Sequence, residues 1–85
     1  MDQQDQFKGK VLFITGGARG IGKGIADILS EKGASLAISD IDGDELEKVH
    51  EQYISRGVET LIGTVDVTEK KSLDYFVSKV ISKFG

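Results

Sequence analysis

The chain has 85 residues, 39% hydrophobic and 29% charged, with a net charge of −3 and no cysteine. That length holds one domain with a thin stability margin, since so short a chain buries only about 60–65% of its unfolded surface. The acidic balance argues against nucleic acid or an acidic membrane as the main partner, and the lack of cysteine removes disulfides and thiolate chemistry, as fits a cytoplasmic protein.

Residues 1–7 read as a polar tail; MDQQDQ lacks the basic region and apolar core of a signal peptide. No apolar run approaches membrane-spanning length. Val11 to Thr15 (VLFIT) is a short apolar run closed by glycine, the pattern of a strand buried on both faces. A helix is predicted over residues 20–32, with Ile21, Ile25, Ile28 and Leu29 on one stripe and Gly33 at its C-cap. Residues 35–39 (SLAIS) form a second strand ending at Asp40. Asp42 and Glu45 make a capping-box-like start to a second helix, with Leu46, Val49, Tyr53 and Ile54 inward and Gly57 as its stop. A third strand centres on residues 60–65. Thr68 is placed to cap a third helix whose stripe is Leu73, Phe76, Val77, Val80, Ile81 and Phe84.

The order β-α-β-α-β-α with short turns specifies an α/β fold with a parallel sheet and right-handed crossovers; the sheet is expected to run in the order 3-2-1 within a Rossmann-like three-layer sandwich. The last helix leads to no fourth strand, so residues 8–85 read as a unit truncated after it. VLFIT is then an open edge, and part of the Phe76, Val80 and Phe84 stripe is expected to lack a sheet partner. Bare apolar edges of this kind invite pairing with another chain, consistent with a homo-oligomeric parent.

Three nucleotide motifs compete for the glycine loop FITGGARGIG. Residues 17–23 match a P-loop until Gly24, which stands where the magnesium-binding Ser or Thr belongs. The spacing G-x-G-x-x-G is absent. Thr15-Gly16-Gly17-Ala18-Arg19-Gly20-Ile21-Gly22 fits T-G-x-x-x-G-x-G without adjustment. In that pattern Gly16 allows a sharp exit from the strand, Gly20 admits a pyrophosphate to the backbone, and Gly22 lets the helix sit close to the sheet. The helix N-terminus aims free N–H groups at the phosphates. Asp40, 20 residues after Gly20, stands where a carboxylate receives the ribose hydroxyls of an adenosine. Such a charge repels a 2′-phosphate by up to about 4 kcal/mol at 4 Å and intermediate dielectric, which favours NAD over NADP; Arg19 pulls the other way.

These residues resemble the N-terminal part of a short-chain dehydrogenase/reductase from about Lys8 to Gly85, with TGGARGIG, then Asp40, then Asp66-Val67 in the family's order. The resemblance implies that Gly16, Arg19, Gly20, Ile21 and Gly22 hold the pyrophosphate, Asp40 the ribose, and Asp66 with Val67 the adenine. It implies an oxidoreductase acting on a secondary alcohol or ketone. The family's N-N-A-G strand, catalytic serine and Tyr-x-x-x-Lys pair would lie beyond Gly85, so this chain is expected to bind the dinucleotide and catalyse nothing. A non-catalytic dinucleotide-sensing or assembly module is the competing reading.

Three other patterns carry less. Tyr75 and Lys79 form a Tyr-x-x-x-Lys, but they fall about 200° and 240° around the third helix from Leu73, opposite its apolar stripe. Asp40, Asp42, Asp44 and Glu51 have calcium-loop spacing, yet Glu45 replaces the required turn glycine and a strand precedes the run. His50 has no partner constellation and reads as a helix-side packing residue, while Lys70, Lys71, Lys79 and Lys83 read as a solvated face. No metal site and no catalytic residue are assigned.

Overall fold

A computed structural model describes residues 6–85, so most of the expected polar tail lies outside the described residues. The elements run β1 (Val11–Thr15), α1 (Gly20–Glu31), β2 (Ser35–Asp40), α2 (Gly43–Ser55), β3 (Thr60–Thr64) and α3 (Lys70–Phe84). The strands form one parallel sheet with β2 in the middle, the expected 3-2-1 order. On one face α1 and α2 enclose Ala26, Leu36, Ile38, Leu46, Val49 and Tyr53. On the other, α3 covers Ala37 and Val65 with Phe76. The result is a Rossmann-like, three-layer arrangement.

Burial along the strands follows position in the sheet. Every residue of β2 after Ser35 is buried, because β2 has a strand on each side and helices above and below. β1 departs from the expectation of burial on both faces and alternates instead, with Val11 and Phe13 exposed and Leu12 and Ile14 half-buried. Like β3 it is an edge strand, and it pairs with β2 alone among the described residues.

The larger departure is in α1. Ile21 is 85% exposed and Ile28 56%, while Ala26 is completely buried. The helix therefore turns its smallest side chains, not its largest, toward the sheet. A Cβ on Gly22 would sit 2.9 Å from the Gly16 carbonyl oxygen, so the first turn packs directly on the glycine loop, and that contact sets the rotation of the helix. Gly24 has open space where its Cβ would be, which makes it a tolerated glycine rather than a packing one.

α2 begins as its sequence indicates. The Asp42 carboxylate accepts a hydrogen bond from the Glu45 N–H at 3.1 Å, with Asp44 and Glu45 in the first turn where the helix dipole favours acids. Leu46, Val49 and Tyr53 are buried as expected, but Ile54 is half exposed because it lies one residue around from that face. α3 starts with Glu69 rather than Thr68 as its N-cap. The Thr68 hydroxyl and N–H both donate to Asp66, which takes Thr68 out of the capping position. Phe76 is fully covered: its ring occupies the space where Gly63 has no side chain, and it meets Phe13 at 5.6 Å between centroids. Val80 and Phe84 pack beside it, and the apolar groups left uncovered are Val77 and Ile81.

A polar strut joins α1 to α2. The Tyr53 hydroxyl donates to the Asp27 carboxylate at 2.6 Å, Lys23 reaches the same carboxylate at 3.1 Å, and Arg56 approaches it at 4.0 Å. Partial burial works against ionisation of Asp27, but the bonds from Tyr53 and Lys23 and the nearby cations outweigh it and hold the carboxyl below its usual range. Burial first, then the bond to Asp27, pushes the Tyr53 phenol up. Tyr53→Phe is expected to cost about 1–2 kcal/mol at pH 7, discounted toward the lower figure because Asp27 is partly exposed. A carboxyl with a depressed folded pKa stabilises the fold above its unfolded pKa and loses that contribution as pH falls through the folded value. Urea unfolding should therefore show the gap between wild type and Tyr53→Phe narrowing below about pH 4. A gap that persists unchanged into strong acid would mean that the hydroxyl acts through packing alone.

Candidate cofactor site

The carboxyl ends of the three strands lie along one edge of the sheet, and the loops that leave them build the site. Parallel pairing aligns Thr15 with Ser39 and Asp40 with Thr64, which brings the glycine loop, the end of β2 and the Asp66 turn together. Gly16 and Gly20 have φ of +67° and +64°, conformations that side chains disfavour, and a Cβ at either would point into open space. An incoming group can thus reach the backbone at both positions. Between them the Gly17 N–H donates to the Ser39 carbonyl at 3.2 Å, folding the loop over β2. Arg19 is the N-cap of α1 with extended backbone and makes no side-chain cap hydrogen bond, and the first turn holds no acid. The N-terminus of α1 is therefore left for an anion to satisfy.

Asp40 is 8% exposed, and its carboxylate joins two pieces of chain. One oxygen accepts from the Ala18 N–H at 3.2 Å, the other from the Asp42 N–H at 3.1 Å. An ionised carboxylate offers about four lone-pair sites, so two remain for hydroxyl donors. Asp66 turns back on itself, with the Thr68 hydroxyl at 2.6 Å and the Thr68 N–H at 3.0 Å on one carboxylate oxygen. Those bonds, the hydroxyl's first, hold its carboxyl below the usual range. Val67 follows, exposed on the same edge. Ile21 is exposed at the start of α1, beyond Gly20. The eight residues singled out from the sequence thus lie at one edge of the sheet, on the glycine loop and first turn of α1, at the end of β2 and on the turn after β3.

Two residues of this edge escaped sequence reasoning. Gly17 occupies a position that the motif leaves free, yet it is buried, and a Cβ there would lie 2.7 Å from both Ile14 Cγ2 and Ile38 Cγ2. The doubled glycine at 16–17 was the available signal. Asp42 was read as a helix cap and as one acid of the calcium-like run; its second oxygen lies 3.7 Å from the Arg19 guanidinium.

The other patterns resolve into ordinary structure. α2 runs through most of the calcium-like sequence, Asp42 caps it, and the Asp40 carboxylate is engaged by backbone N–H groups. Tyr75 is exposed on α3 with the Lys79 ammonium 4.9 Å from its ring centre, and His50 is half-buried on α2. No helix among the described residues is long and apolar enough to cross a membrane.

Open glycine backbone, an unblocked helix start and a carboxylate at the carboxyl edge of a parallel sheet define a Rossmann-type nucleotide-binding unit, and the donors and acceptors present fit a dinucleotide. A profile of short chain dehydrogenases matches residues 10–85, and the chain belongs to that family. It is 43% identical over 79 residues to a CLA biosynthesis dehydrogenase/reductase of Lactiplantibacillus plantarum, which covers 93% of this chain and 28% of that one. The structure of NAD+-bound xylitol dehydrogenase matches with a TM-score of 0.89 at 34% identity, over 94% of this chain and 31% of that one. An alcohol dehydrogenase from the archaeon Thermococcus sibiricus, complexed with 5-hydroxy-NADP, matches with a TM-score of 0.82 at 42% identity, over 89% of this chain and 33% of that one. The chain therefore spans between 28% and 33% of the length of these relatives.

Proposed function

We propose that this chain is the part of an NAD-dependent oxidoreductase that holds the adenosine and pyrophosphate of the cofactor. In the whole protein the nicotinamide would exchange a hydride with the carbon of a secondary alcohol or ketone. Gly16, Arg19, Gly20, Ile21 and Gly22 form the pyrophosphate cradle, Asp40 receives the ribose hydroxyls, and Asp66 with Val67 borders the adenine. The observation that carries the reading is the Asp40 carboxylate, fixed by Ala18 and Asp42 with acceptor capacity to spare beside an uncapped helix start. Its charge stands where a 2′-phosphate would have to enter.

Calorimetric titration of the chain with NAD and NADP tests this. NAD is expected to bind at least about tenfold more tightly at low salt, the factor left after screening of a contact-range repulsion. Equal affinities would overturn the choice of NAD, and no binding of either would overturn the site. With a secondary alcohol added, no NADH should form. The one Tyr-x-x-x-Lys in the chain stands on the exposed face of α3 and has no role in the cradle.

A further inference from the structure

The contact between Arg19 and Asp42 bears on which dinucleotide the edge accepts. Arg19 follows Ala18, whose N–H binds one Asp40 oxygen, and Asp42 supplies the N–H that binds the other. The Arg19–Asp42 ion pair at 3.7 Å closes this into a ring of contacts around the Asp40 carboxylate. Asp42 is not free to swing, because its other oxygen caps α2 through the Glu45 N–H. The second cation near the loop, Lys23, is held by Asp27. Both positive side chains of the loop and first turn are therefore engaged by acids.

We infer that Asp42 is a specificity-determining positioning residue: it captures the Arg19 guanidinium and so withholds from a 2′-phosphate the one cation able to neutralise it. The inference rests on the cofactor reading above and adds a second carboxylate to Asp40. Asp40 repels the phosphate, whereas Asp42 removes its partner. Because the pair is partly exposed, its release costs little, and the effect on selectivity is modest but readable.

The test is a cycle of wild type, Asp42→Asn, Arg19→Gln and the double variant, each titrated with NAD and NADP and checked for folding by circular dichroism. Asparagine still caps a helix, so α2 is kept while the charge is lost. Asp42→Asn should raise the NADP-to-NAD affinity ratio by roughly fivefold, the upper range for one exposed ion pair. In the Arg19→Gln background the same substitution should change the ratio by less than about twofold. Arg19→Gln alone should weaken NAD and NADP alike through the shared pyrophosphate and leave their ratio nearly unmoved, because the guanidinium is withheld from the 2′-phosphate by Asp42; this surface variant keeps the inference testable if Asp42 variants misfold. An equal rise with and without Arg19 would mean that Asp42 acts by its own charge and would overturn the inference. A several-fold loss of NADP binding in Arg19→Gln alone, with NAD binding kept, would overturn it as well. NAD binding retained with an unmoved ratio in Asp42→Asn overturns this inference only, whereas no nucleotide binding by wild type overturns the cofactor reading and this with it.

Discussion

Asp40→Ala is expected to lower stability by about 2–3 kcal/mol and, on the proposed reading, to weaken NAD binding by at least about tenfold. The carboxylate holds two pieces of chain together and, in the proposed reading, also receives the ribose. In the fold it satisfies the N–H groups of Ala18 and Asp42, and Ala18 is almost completely buried. Without Asp40 the Ala18 donor has no partner and no access to water, a loss of about 1–3 kcal/mol for that group alone. A chain of this length has a total stability of roughly 4–13 kcal/mol, so the change removes a large share of it. Asparagine does not rescue the site, because its amide offers one acceptor and turns a donor toward the second N–H. Urea denaturation reads the first effect and calorimetry the second. Unchanged stability with lost binding would show that Asp40 serves the ligand only, contrary to the two backbone bonds.

Glycine substitutions should rank by space rather than by backbone angle. Gly17 carries no positive φ, yet alanine there places a methyl 2.7 Å from Ile14 and Ile38, and Ile38 is completely buried. Neither neighbour can retreat cheaply, so Gly17→Ala is expected to cost about 2–3 kcal/mol, within the range for an overpacked core. Gly16→Ala meets nothing and carries only the left-handed penalty, about 1–2 kcal/mol. Gly24→Ala, in open space within α1, should stabilise by about 0.5–1 kcal/mol. Thermal unfolding of the three variants orders them directly. If Gly16→Ala proves the worst, the loop yields at Gly17 and backbone strain, not packing, governs the cradle.

What could be read from the sequence was whatever rests on local rules. Alternating elements gave the parallel sheet, the Asp42–Glu45 spacing gave the α2 cap, and the glycine loop with Asp40 marked the edge where the candidate site was sought. What could not be read depends on which atoms meet across elements. Periodicity weighs side chains by size, so it chose the Ile21, Ile25 and Ile28 stripe; close approach of α1 rewards the absence of side chains, at Gly22 and Ala26. Gly17 was hidden because a motif written with free positions treats them as unconstrained. Asp42 was half visible, since a capping pattern accounts for one of its oxygens and says nothing of the other.

The sheet register has a consequence for how the chain assembles. Val11 pairs with Ser35 and Leu36 with Thr60, so each ladder joins residues 24 apart. The entropy of closing a loop depends mainly on its length, so the two closures start on equal terms. The first is complete once the chain reaches Asp40, and the second repeats the same step on the other side of β2. Substitutions in β2 should accordingly slow folding, because both closures need it, whereas changes in α3 should mainly speed unfolding. The molecule is built by one event performed twice, with β2 as the seam common to both.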